Sequence, residues 1–150
     1  MKSEFRVESV NISKNKGVQK HPVAEILLLE NYGIKGDAHA GPDPWHRQIS
    51  LLGGESIDAM RARAGDFEIK HGDFAENIVT RGMDWTKARV GGRIVIEGVE
   101  LEVTQIGKEC HSGCAIFEAV GECIMPKQGI FAKVIKGGKI HAGNSGYYRI

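Results

Sequence analysis

Arg93-Ile94-Val95-Ile96-Glu97-Gly98-Val99-Glu100-Leu101-Glu102-Val103-Thr104 is the stretch that decides the fold class. From Val99 onward apolar and polar residues alternate strictly, the two-residue period of a strand with one buried face. The run before Gly98 is apolar and largely β-branched, and Glu97-Gly98 supplies the turn of a tight hairpin. The same grammar recurs outward along the chain. Phe5-Arg6-Val7-Glu8-Ser9-Val10-Asn11-Ile12 alternates in the same way. Ala24-Glu25-Ile26-Leu27-Leu28-Leu29 fits a buried strand or a short helix, and Gly33 and Gly36 after it favour the strand. Gln48-Ile49-Ser50-Leu51-Leu52 and Phe131-Ala132-Lys133-Val134-Ile135 read as strands, and a turn-like segment 73–77 leads into Ile78-Val79-Thr80. Lys136-Gly137-Gly138-Lys139 reads as a turn, with Ile140 resuming extended chain.

One segment breaks the pattern. Residues 55–64 place Ile57, Ala59, Met60 and Ala64 on one helical face, and Gly65 supplies a stop. Glycine makes up 20 of the 150 residues, well above the usual share of roughly 7%, which suits the many tight turns of short strands. The expected fold is mainly β with helical insertions, an antiparallel-rich small barrel in a single domain over 1–150.

Twenty Lys and Arg oppose nineteen Asp and Glu, a formal charge of +1. That balance gives no electrostatic reason to expect nucleic acid or membrane as a partner. No apolar run is long enough to span a bilayer, and residues 1–10 have no signal-peptide core, so the cytoplasm is the expected compartment. The three cysteines, Cys110, Cys114 and Cys123, form an odd set that points to reduced thiols, and all fall in one short stretch.

Three constellations can carry chemistry. In Gly36-Asp37-Ala38-His39-Ala40-Gly41 the glycines allow backbone amides to approach a ligand, and Asp37 and His39 share a face if the segment is extended. Arg47 follows and can meet an anion through two parallel hydrogen bonds. The plainer reading is a turn in which Asp37 caps backbone amides. In Phe74-Ala75-Glu76-Asn77 two planar polar side chains can meet the donors and acceptors of a pterin-like ring, or can tie down a turn. The third is Cys110-His111-Ser112-Gly113-Cys114, with Cys123 nearby. A thiolate there can hold a persulfide or ligate molybdenum. It can also join a zinc site, although the remaining ligands are irregularly spaced. Lys108 and His111 offer positive charge beside Cys110, whereas Cys114 and Cys123 precede apolar residues and fit core positions better.

Taken in order, these segments resemble the MOSC family, named for the C-terminal domain of molybdenum cofactor sulfurases. The resemblance rests on 33–41, Arg47-Gln48-Ile49-Ser50-Leu51-Leu52, Phe74-Ala75-Glu76-Asn77, Val90-Gly91 with Gly98, Gly107-Lys108-Glu109-Cys110-His111, 121–126, Gly129-Ile130-Phe131-Ala132 and Gly137-Gly138-Lys139-Ile140. The chain looks most like the short, stand-alone bacterial members. The resemblance implies a closed or partly closed β-barrel of the MOSC and pyruvate-kinase-barrel kind, a pocket for the molybdenum cofactor, and an essential cysteine that carries sulfur. That cysteine transfers to Cys110, with Cys123 as second choice and His111 beside it. Gly36, Asp37, His39, Glu76 and Asn77 transfer as pocket positions. Where family members often end the last glycine motif with Gly-Asp, this chain has Gly143-Asn144.

No pyridoxal-phosphate site is identifiable, so sulfur is expected from a cysteine desulfurase or another donor. The acceptor would be a molybdoenzyme or a cofactor-biosynthesis protein. Three functions follow from this reading. The first is a sulfur carrier with sulfurtransferase-like persulfide chemistry at Cys110. The second is a molybdenum oxidoreductase module for N-hydroxylated compounds, with Cys110 as metal ligand and an external electron donor. The third is a non-enzymatic scaffold.

Overall fold

The structure, a computed structural model, describes residues 2–16, 18–107 and 128–150. Among these residues the elements run in order β1 (Lys2–Ile12), β2 (His21–Pro22), β3 (Ile26–Leu29), β4 (Gly33–Ile34), β5 (Ile49–Gly53), α1 (Gly54–Arg63), β6 (Ile78–Arg81), β7 (Arg93–Ile96), β8 (Val99–Ile106), β9 (Ile130–Lys136), β10 (Gly138–Ile140) and β11 (Ser145–Arg149).

The β7–β8 hairpin forms where the alternation places it. Ile96 pairs with Val99, and Glu97 and Gly98 both take positive φ, 48° and 85°, the two-residue turn whose twist matches its strands. Along β8 buried and half-buried residues alternate. β8 then pairs with β9, β9 with β5, β5 with β6, and β6 with β1, while β11 joins β1 to β7 and closes the ring. The closed sheet is a seven-strand barrel. All its pairings are antiparallel except β5–β6, and that parallel pair is connected through α1, because a parallel connection needs a crossover. β2 extends the end of β1, and β10, β3 and β4 form a separate three-stranded sheet.

Every residue of β5 is buried, because the strand serves two cores. Ile49 and Leu51 belong to the barrel interior with Ile94, Ile96, Leu101 and Val134. Leu52 packs outward with Ile57 and Met60 of α1, and with Phe74 and Phe131. Such two-sided burial explains the continuous apolar run in the sequence.

Candidate functional site

β4 ends at Ile34, and Gly36 (φ 87°) turns the chain into the loop 36–47. The Asp37 amide donates to the Ile34 carbonyl at 3.1 Å, which aims the carboxylate inward. Oδ1 accepts from the Ser13 amide at 3.1 Å and from the Lys20 ammonium at 2.7 Å, while Oδ2 accepts from the His39 amide at 3.2 Å. Lys20 Nζ also lies 2.9 Å from His39 Nδ1 and 3.3 Å from Ser13 Oγ. Both side chains of the ion pair are 0% exposed. Two charges so far from water persist only when their remaining hydrogen-bonding capacity is filled, as it is here. Asp37 and His39, paired in the sequence by spacing, are brought together by Lys20. Lys20 ends the polar stretch 13–20, and nothing in its neighbours in the sequence marks it as buried.

The loop continues through Trp45, whose indole N–H donates to the His39 carbonyl at 2.7 Å. The Arg47 guanidinium stands 4.8 Å from the Trp45 ring centroid, and Lys16 Nζ stands 5.8 Å from it. An indole flanked by two cations therefore shares a loop with His39. The far end of this loop is tied to the barrel rim. His46 Nε2 lies 2.7 Å from Gln105 Oε1, the Thr104 hydroxyl donates to the His46 carbonyl, and Arg47 lies 6.0 Å from the Phe131 ring. At that rim the Gly107 amide donates to the Gly129 carbonyl at 2.7 Å. Residues 108–127 run between those two glycines in sequence. Cys110, His111, Cys114 and Cys123 fall within them and lie outside the described residues. Among the described residues no group of three or more His, Cys, Asp or Glu is placed to hold a metal ion.

Glu76 and Asn77 stand on a neighbouring turn and face inward, 0% and 1% exposed. The Glu76 carboxylate accepts the amides of Gly72 at 2.9 Å and Phe74 at 3.0 Å. Burial nevertheless dominates, and lifts its pKa from 4.5 to about 7. Asn77 Oδ1 accepts the Ser50 amide at 3.0 Å, and its Nδ2 donates to the Asn11 carbonyl at 3.1 Å. These side chains serve backbone groups of β1, β5 and the turn itself. Their link to Asp37 runs through Gly72, whose carbonyl accepts the Lys20 amide at 2.8 Å. The approach is so close that a Cβ on Gly72 would stand 2.1 Å from the Lys20 oxygen.

Asn144 holds a local turn at the start of β11, its Oδ1 accepting the His141 amide at 2.8 Å. A cleft of about 310 Å³ opens at the start of α1 between Gly53, Glu55, Met83, Trp85 and Gln128, and among the described residues none of the expected site residues line it.

No curated protein sequence matches the chain at a significant level. Several solved structures share its fold. The YuaD protein from Bacillus subtilis superposes with a TM-score of 0.81 at 19% identity, covering 99% of this chain and 97% of that one. YiiM from Geobacillus stearothermophilus gives 0.69 at 18%, covering 97% and 75%, and YiiM from Escherichia coli gives 0.66 at 18%, covering 98% and 70%. The family model for the MOSC domain matches residues 35–145, from the lysine before the Gly36-Asp37 turn to the first residue of β11. The chain therefore belongs to the MOSC domain family, which is associated with molybdenum cofactor binding.

Proposed function

We propose that the protein binds the molybdenum cofactor beside the loop 36–47 and carries sulfur on Cys110 for cofactor maturation. One observation carries the reading. The loop that holds Asp37, His39, Trp45 and Arg47 is bonded through His46 to Gln105 and Thr104, near the end of β8, five and six residues before Cys110 in the sequence. The residues present fit the group. A planar pterin is complemented by the Trp45 indole, and a phosphate by the cations of Arg47 and Lys16 that flank it. Gly36 and Asp37 shape the loop, while Glu76 and Asn77 brace it from the neighbouring turn. When bound, the cofactor supplies the molybdenum centre that consumes the sulfur.

The thiolate of Cys110 attacks the outer sulfur of a persulfide on a cysteine desulfurase or similar donor. A new sulfur–sulfur bond forms on Cys110, the donor's own breaks, and the donor leaves as a thiolate, so the exchange needs no external oxidant or reductant. His111 and Lys108 supply positive charge that favours the attacking thiolate. The test is mass spectrometry after incubation with a cysteine desulfurase and free cysteine. The expected result is one added sulfur atom on Cys110, reversed by a thiol reductant, lost in Cys110→Ser and kept in Cys123→Ser. An intact protein without added sulfur on Cys110 overturns the proposal.

A further inference from the structure

We propose that Lys20 is a positioning residue that locks His39 as a neutral imidazole with its proton on Nε2, so that neither ring nitrogen serves the site as a base. The inference deepens the cofactor-binding reading, on which it rests for the purpose of the site alone, by assigning where His39 holds its proton.

Three steps lead to it. Asp37 accepts two backbone amides, from Ser13 and His39, besides the ammonium. With its ammonium 2.7 Å from Asp37 Oδ1 and both side chains 0% exposed, Lys20 is the charged member of an ion pair. A charged ammonium has three protons and no lone pair, so it can only donate. Asp37 Oδ1, His39 Nδ1 and Ser13 Oγ lie within hydrogen-bond reach of it, each able to accept.

His39 Nδ1, 2.9 Å from that ammonium, must then present its lone pair. A proton on Nδ1 would set two donors against each other beside an ammonium that is itself shielded from water. The imidazolium is disfavoured for the same reason, together with the adjacent positive charge. The neutral ring therefore carries its proton on Nε2. The Trp45 indole, bonded to the His39 carbonyl at 2.7 Å, and the Asp37 carboxylate, bonded to its amide, hold the residue from its backbone side. This assignment also removes His39 from the candidates for deprotonating a cysteine, because both its nitrogens are committed in the wrong sense.

Nitrogen-15 NMR of the histidine side chains in the full chain at neutral pH tests this, with His39→Gln used to assign the signal. The expected wild-type spectrum has a pyridine-like Nδ1 and a pyrrole-like Nε2 for His39. In Lys20→Met the lock is lost, and both nitrogens move toward averaged values as the two tautomers mix. Should Lys20→Met fail to fold around an unpaired Asp37, Lys20→Met/Asp37→Asn removes both charges together and gives the same comparison. A wild-type His39 carrying its proton on Nδ1, or one charged at neutral pH, overturns the inference without reference to any variant. So does a folded Lys20 variant whose His39 spectrum equals that of the wild type. None of these outcomes depends on sulfur transfer. A protein that fails to take sulfur on Cys110 but shows the Nε2–H tautomer refutes the functional proposal alone.

Discussion

Glu76 shows how a single carboxyl can set the pH response of the fold. Its pKa of about 7 stands above the ordinary 4.5 because burial outweighs the amide hydrogen bonds from Gly72 and Phe74. Between those two values the folded chain keeps a proton that the unfolded chain has released. The stabilisation is therefore complete below about pH 4.5 and is lost as the pH rises through 7, by roughly 3 kcal/mol in all. Denaturant unfolding from pH 5 to 7.5 should show stability falling as the pH rises, and Glu76→Gln should flatten that slope. Asp58 works in the opposite sense in a separate window. Its carboxyl is held below 3.8, first by the hydrogen bond from Arg81, so its contribution is present at neutral pH and disappears only as the pH falls into the acid range.

The same scale explains what the sequence did not disclose. Asp37 and His39 were legible as a pair because two-residue spacing is a local property. Their partner Lys20 was not, since any of the 20 basic residues could have supplied the charge and only the fold selects one. A lysine in a polar loop reads as solvated, and the burial of its ammonium depends on Asp37, 17 positions away.

Elements were legible where they are long, alternate cleanly, or end on a distinctive turn. The β7–β8 hairpin, β1, β5, β9 and α1 all stand within a few residues of where periodicity puts them. β10 did not read as a strand, because the Gly137-Gly138 pair reads as a turn. It forms because Gly138, Lys139 and Ile140 find a partner in β3, a long-range pairing with no local signature. β11 was also missed. Its Tyr147-Tyr148 pair favours a strand, yet five residues with Gly146 among them give too little alternation to stand out.

Turns carry a prediction at this scale. Gly72 has φ 92°, and an added Cβ would meet the Lys20 carbonyl oxygen at 2.1 Å, backbone against backbone. Gly98 has φ 85° and nothing within 4 Å of an added Cβ. Gly98→Ala should thus cost about 1 kcal/mol, the strain of the left-handed region alone. Gly72→Ala must also push apart the turn that holds Glu76 and the chain just before β2 that holds Lys20, and should cost at least twice as much. Paired denaturation midpoints check the ordering, and equal losses would mean that Gly72 is not wedged against Lys20.

At the scale of the whole molecule the barrel is one continuous ring whose closure falls on β11, which pairs with β1 on one side and β7 on the other. The closing strand is pinned from inside by Tyr148, 3% exposed. Its ring meets Trp85 edge-on with centroids 5.9 Å apart, and Trp85 in turn lies 5.5 Å from Phe5 on β1. The Tyr148 hydroxyl accepts the Arg89 amide at 2.8 Å, and the Trp85 N–H donates to Thr80 on β6 at 2.7 Å. The aromatic group thus connects β11, β1 and β6 with the segment that leads into β7, and the ring depends on it for closure as well as for buried area. Tyr148→Phe removes only the hydroxyl and should cost about 1–2 kcal/mol, leaving the Arg89 amide without its acceptor. Tyr148→Ala opens a cavity beside Trp85 and should cost about 3–5 kcal/mol. It should also free the edges of β1 and β7 for pairing with other chains. Tryptophan fluorescence, thermal unfolding and size-exclusion chromatography together distinguish the outcomes. The alanine variant is expected to show red-shifted emission, a lowered midpoint and self-association, and the phenylalanine variant only a modestly lowered midpoint. An alanine variant that keeps the wild-type elution volume and unchanged emission would show that β1 and β11 hold each other by their backbone ladder alone.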